Sequence, residues 1–178
     1  MIQNFDSLRD RLIDAAYQAG EAIMSVYAGE ITPDRKADHS PVTVADVAAE
    51  ALILAALDAA APNVPVIAEE QAAANGLPPT AAHEFFLVDP LDGTKEFIAR
   101  NGEFTVNIAL VQAGVPVLGI VYLPARDEMY AGFGRHCIRR CKGEETPIAA
   151  RALPPDGAVM TISRSHAAKE LVKVEELG

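Results

Sequence analysis

The sequence predicts an α+β fold: two long helices layered on a mostly antiparallel sheet. Three observations predict it. Apolar residues recur at spacings of three and four through the first two long segments. The middle of the chain changes to short β-rich runs joined by tight turns. The helices precede the strands instead of alternating with them, which argues against a doubly wound order.

The elements follow in order. Residues 4–28 read as a helix, because Phe5, Leu8, Leu12, Ala16, Ala19, Ile23 and Val26 fall on one face. Ala15, Ala16 and Ala19 permit close packing, and Gly29 is the stop. "EITPDRKADHSPV", 30–42, is polar, holds two prolines and reads as a loop. "TVADVAAEALILAALDAAAP" is an Ala- and Leu-rich second helix closed by Pro62. At its start Thr43 and Asp46 imitate a capping box, with Asp in place of Glu or Gln.

"VPVIA", 64–68, is a short strand followed at once by Glu69 and Glu70. "QAAANGLPPTAAH" reads as a long surface segment. "FFLV", 85–88, is a second short strand that ends in Asp89, and a short helix is expected in "GTKEFIARNG". Thr105–Val111, Pro116–Leu123 and Glu128–Phe133 then form an antiparallel meander. "RHCIRRCKG", 135–143, reads as a solvated basic turn, in which Cys137 and Cys141 meet only if it is helical. A strand at 159–163 and an amphipathic helix from His166 complete the prediction. Met24, Met129 and Met160 are assigned to the core.

The bulk properties exclude several classes. The chain has 178 residues, half of them hydrophobic, enough for one moderate domain with a true core. Fifteen basic and 25 acidic residues give a net charge of −10, which argues against a nucleic-acid polymer as partner. A small anionic ligand stays compatible with that charge, because a bound divalent cation inverts the local field. Two cysteines make no disulfide framework, so a reducing cytoplasm is expected. No apolar run has the length of a membrane span, and peripheral contact at the inner membrane is left open.

Three junctions between apolar runs and acids carry the chemistry: "VTVAD", "VIAEE" and "FLVDPLD". Taken singly, Asp46 is a helix-start acid, Glu69 and Glu70 a solvated pair, and Asp89 and Asp92 turn residues. Together they are carboxylates at the ends of buried elements, able to converge on one crevice. Carboxylates held side by side repel and raise each other's pKa, and a divalent cation removes that cost. Oxygen-only ligands point to Mg²⁺, Mn²⁺ or Ca²⁺. Pro90 is expected to turn the chain sharply out of the strand. Gly93 would let backbone approach a ligand, and Thr94 would cap a helix whose N–H groups face a phosphate.

"KADHSPVTVAD", "VIAEE", "DPLDGTKEFIARNGEFTVNIAL" and "SRSH" resemble the lithium-sensitive, metal-dependent phosphatases of the inositol monophosphatase superfamily. Within it they are most similar to the 3'(2'),5'-bisphosphate nucleotidase branch. The resemblance implies the layered sugar-phosphatase fold. It implies metal binding by Glu69, Asp89, Asp92 and the backbone carbonyl of Leu91. Asp46 and Thr94 would orient and activate water, with Glu69 counted among the catalytic residues and Glu70 tuning the site. Gly93 and Thr94 would meet the phosphate, with Lys36, Arg164, Ser165 and His166 near the substrate; His166 has an equally good structural reading. Two or three Mg²⁺ are implied, with Mn²⁺ able to substitute and Li⁺ inhibiting. The implied partner is a small phosphorylated nucleotide, adenosine 3',5'-bisphosphate, cleaved to AMP and phosphate.

The pattern is departed from in one respect. Family members carry a later lobe with a Trp-Asp-x-Ala-Ala-Gly stretch, and this sequence has no Trp. The resemblance therefore implies that residues 1–178 are an N-terminal α+β lobe holding most metal ligands, lacking the C-terminal substrate-pocket lobe. Weak activity alone and self-association through an exposed lobe interface are the corresponding expectations. Three rival readings stay open: an inositol or sugar monophosphatase, a metal-binding or interaction remnant without catalysis, and a purely structural domain.

Overall fold

A computed structural model describes residues 5–36, 41–77, 83–155 and 157. Residues 1–148 form one unit and 149–178 a second. In the second, residues 149–155 and 157 carry neither helix nor strand. The strand expected at 159–163 and the helix expected from His166 lie outside the described residues.

In the first unit, helix α1 spans Phe5–Tyr27 and α2 spans Val44–Ala60. Between them, β1 (Asp34–Arg35) and β2 (Pro41–Val42) pair as a minimal antiparallel ribbon inside the expected loop. The capping box at α2 is real: Thr43 accepts from the Ala45 N–H, and Asp46 accepts from the Thr43 N–H. A seven-stranded sheet follows, with its strands in sequence order. These are β3 (Val66–Ala68), β4 (Glu84–Asp92), β5 (Thr105–Gln112), β6 (Val115–Leu123), β7 (Glu128–Phe133), β8 (His136–Cys141) and β9 (Glu144–Pro147). Among the described residues only the β3–β4 pair is parallel; the other neighbours in the sheet are antiparallel. The layered α+β arrangement expected from the sequence is therefore observed.

Alternation along the strands decides which face holds the core. Phe86, Val88, Val106, Ile108, Leu110, Leu118, Ile120, Tyr122, Met129 and Ala131 are buried, together with Leu12, Ile13, Ala16, Ala19 and Ile23 of α1 and Ala49, Ile53 and Leu57 of α2. The other face carries Leu87, Val121 and Tyr130, which are exposed. Met24 packs against the core and Met129 lies in it, as expected; Met160 lies outside the described residues.

The basic segment 135–143 is not a turn but most of the β8–β9 hairpin. Cys137 and Cys141 are free thiols on β8. The surface segment after Glu69 begins as a helix, α3 (Glu69–Asn75). The short helix after the DGT turn is present as α4, Thr94–Ile98.

Candidate active site

Two neighbouring strand ends build the site. β3 and β4 run parallel in register, Ala68 opposite Val88, so Glu69 and Asp89 follow side by side. The chain then departs from the expectation of an abrupt exit at Pro90. β4 continues through Pro90 to Asp92, and the register against β5 shifts between Asp89 and Asp92. Asp89 faces Asn107 and Asp92 faces Thr105, so β4 carries one extra residue in this interval. Two aspartates three apart would ordinarily point to opposite faces of a strand. The bulge turns Asp92 onto the face of Asp89, where its Oδ2 accepts from Asn107 Nδ2 at 3.2 Å. Proline is tolerated there because a bulge frees one position from the ladder.

Gly93 follows at φ 92°, and a Cβ there would lie 2.9 Å from the Glu103 carbonyl oxygen. Both facts require glycine irrespective of any ligand. Gly93, not Thr94, is the N-cap of α4, which corrects the expected cap. Thr94 Oγ1 instead stands 3.2 Å from both Asp46 Oδ1 and the Leu91 carbonyl. The other end of α4 is anchored to α1. Arg100 donates to the carbonyls of Tyr27 and Gly29 and covers the Tyr27 ring, while Tyr27, Phe97 and Phe104 pack ring against ring.

The electrostatics are unusual for a surface cleft. Burial pushes the Asp89 carboxyl up to about 8, and the neighbouring Glu69 and Asp92 carboxylates add to the rise. Among the described residues, Asp89 Oδ1 and Asn107 Oδ1 are the buried side-chain polar atoms without a hydrogen-bond partner. Lys36 Nζ lies 2.5 Å from Glu69 Oε1 and 2.7 Å from Glu70 Oε1. Burial lowers its pKa, but the two carboxylates outweigh that and hold the ammonium above its ordinary value. Burial likewise raises Asp46 and Glu70, against donors from Thr43 and Thr94 to the first and from Lys36 to the second.

Among the described residues no three His, Cys, Asp or Glu side chains form a ready-made metal cluster. The donor chemistry nevertheless suits a hard divalent cation: oxygens only, one of them buried and orphaned, beside two further carboxylates. Glu69, Asp89, Leu91, Asp92, Gly93, Thr94, Asp46 and Lys36 thus fall into one neighbourhood at the β3 and β4 ends. Arg164, Ser165 and His166 lie outside the described residues. Two polar residues went unread in the sequence, Glu50 and Asn107. Glu50 stands one helical turn after Asp46 in an Ala- and Leu-rich helix, and Asn107 is a lone amide inside "FTVNIAL".

Comparison with known proteins bears on family and fold. The sequence model of the inositol monophosphatase family matches residues 4–176. The 3'(2'),5'-bisphosphate nucleotidase CysQ of Escherichia coli (strain K12) is 47% identical over 179 residues, covering 95% of this chain and 69% of that protein. CysQ of Shigella flexneri is 46% identical, with the same coverage of 95% and 69%. Among solved structures, CysQ from Bacteroides thetaiotaomicron aligns with TM-score 0.64 and 33% identity, covering 97% of this chain and 70% of that one. The extragenic suppressor protein SuhB of Bartonella henselae aligns with TM-score 0.68 and 28% identity over 82% of this chain, which spans 56% of that structure.

Proposed function

The chain belongs to the inositol monophosphatase family, and on that premise we propose that its site serves a Mg²⁺-dependent phosphomonoesterase acting on adenosine 3',5'-bisphosphate, with AMP and phosphate as products. The observation that carries the reading is the buried, unpartnered Asp89 Oδ1 flanked by Glu69 and Asp92. The nucleotide substrate is favoured over an inositol phosphate by 46–47% identity to bisphosphate nucleotidases against 32% to the inositol monophosphatase of Zymomonas mobilis.

Glu69, Asp89, Asp92 and the Leu91 carbonyl are the groups that would hold the cations. When bound, Mg²⁺ supplies charge neutralisation for the phosphate and Lewis acidity toward water. The remaining work falls to the chain's own residues. Asp46 Oδ2 is held by the Thr43 N–H and hydroxyl, both at 2.7 Å, which leaves Oδ1 directed at Thr94. The single Thr94 proton is shared between Asp46 and the Leu91 carbonyl. A water at Thr94 can therefore pass its proton toward Asp46, whose raised pKa suits an acceptor. Hydrolysis adds that water across the phosphorus–oxygen bond, and the proton leaves with the departing alcohol. Lys36 neutralises Glu69 and Glu70. Two free thiols suit a cytoplasmic setting, and no helix among the described residues is long and apolar enough to cross a membrane.

Thermal melting with and without Mg²⁺ tests the cation site. At a hundred times Kd, binding to the folded state adds about 2.7 kcal/mol, or roughly 5–10 °C in Tm for a chain of this size. Asp89→Asn is expected to abolish that shift. An unshifted wild-type Tm would sink the metal reading and favour a purely structural domain. Phosphate release from adenosine 3',5'-bisphosphate, compared with inositol 1-phosphate, decides the substrate.

A further inference from the structure

α2 carries two buried acids one turn apart, Asp46 at 1% and Glu50 at 4% exposure. Asp46 reaches the start of α4. Glu50 reaches a different wall: its Oε2 accepts from the Glu70 N–H at 2.7 Å and its Oε1 from the Gln71 N–H at 2.9 Å. Those are the second and third N–H groups of α3, the ones an N-cap side chain ordinarily satisfies. The residue at the cap position is Ala68, in extended geometry at φ −114° and ψ 144°, and it makes no side-chain cap hydrogen bond. Its side chain has no oxygen with which to do so.

We propose that Glu50 is a positioning residue: it caps α3 from another helix and thereby fixes the direction in which Glu69 and Glu70 leave β3. The inference rests on the cation-site reading above, since Glu69 is aimed at Asp89 only while the Ala68–Glu69 junction holds its conformation. A carboxylate suits this task better than an amide. Both its oxygens accept, and both face a donor, so the buried charge is fully hydrogen-bonded. A glutamine would turn an NH₂ toward one of the two N–H groups.

The test uses the full 178-residue chain with Mn²⁺ as the probe, read by calorimetry, and amide exchange read by NMR in metal-free protein. In Glu50→Gln the Glu70 and Gln71 amides are expected to exchange roughly tenfold faster, as for a lost cap. In Glu50→Ala the Kd for Mn²⁺ is expected to rise about 10–100-fold, the usual cost of losing a group that orients a ligand. Adding Ala68→Ser to Glu50→Ala supplies a local cap and is expected to bring the Kd back within about threefold of wild type. Unchanged Mn²⁺ affinity in Glu50→Ala overturns the proposal. So does a folded double variant that stays weak, which would mean that Glu50 acts through its charge and not as a cap. If Glu50→Ala does not fold, Glu50→Gln carries both measurements, and wild-type exchange at Glu70 and Gln71 overturns the capping. A wild-type chain that binds no Mn²⁺ sinks the cation-site reading instead, while the exchange data still decide whether Glu50 is the cap.

Discussion

Tyr122 shows how one buried side chain sets a pH limit. The residue is 7% exposed, and its ring meets Tyr17 edge-on with centroids 4.8 Å apart. Burial pushes its hydroxyl from 10.0 up to about 12, and the acids Asp127 and Glu21 and the neighbouring Tyr17 add to the rise. Between those two values the unfolded chain has released the proton and the folded chain still holds it. Stability is therefore intact below about pH 10 and falls as pH climbs toward 12, by roughly 2 kcal/mol from this group. Urea midpoints at pH 9, 10, 11 and 12 are expected to fall more steeply in wild type than in Tyr122→Phe; parallel curves would remove Tyr122 from the account. At this same scale, much of the candidate site was readable in the sequence. Glu69, Asp89 and Asp92 announce themselves as acids ending apolar runs, and Thr94 and Asp46 sit in recognisable turn and cap patterns. Glu50 and Asn107 did not, because their roles depend on which distant backbone groups face them. Glu50 serves amides 20 and 21 residues away, and no local pattern encodes that distance.

Gly20 governs how closely α1 seats on β6. A Cβ added there would lie 2.3 Å from Tyr122 Cε1 and 3.4 Å from Pro124 Cβ. Alanine would ordinarily favour a helix interior by about 1 kcal/mol over glycine. Here overpacking against a ring already wedged on Tyr17 opposes that gain at a cost of roughly 1–3 kcal/mol. Gly20→Ala is thus expected to lower the Tm by a few degrees. In a Tyr122→Leu background, which removes the ring, the same substitution is expected to become neutral or stabilising. A Gly20→Ala protein as stable as wild type would show that α1 does not sit this close. The small residues of α1 predicted such packing, and both long helices and the β5–β7 meander were read correctly from periodicity. The failures have separate causes. α3 follows an alanine instead of a capping residue, so its start signal sits on α2. β8 and β9 are short and polar, with exposed or half-buried side chains along both faces, so neither shows the alternation that marks a half-buried strand.

For the molecule as a whole, the order of helices and strands gave the layers, while the parallel β3–β4 pair needed the structure. That pair matters most, because parallel register is what brings the residue after β3 beside the residue near the end of β4. Asp89 also belongs to a cross-strand row that continues through Asn107, Val121 and Tyr130 on the face away from α1 and α2. Val121 and Tyr130 are 40% and 37% exposed, so the face that carries the candidate cation ligands is open to solvent at its far end. The CysQ relatives align with 95% of this chain, which spans 69% of their length. Electrostatic catalysis needs charges fixed in a water-excluding site, where a single preorganised donor is worth on the order of 10²–10³ in rate. We therefore propose that the 178-residue chain by itself releases phosphate at least about 100-fold more slowly than the intact E. coli CysQ, while still showing the Mg²⁺-dependent gain in Tm. Both proteins assayed side by side on adenosine 3',5'-bisphosphate at saturating Mg²⁺ give the comparison. Equal rates would mean that Glu69, Asp89, Asp92, Asp46 and Thr94 are sufficient, and that the open face plays no part in the chemistry. A slow chain that shows no Mg²⁺ shift either would sink the cation-site reading itself.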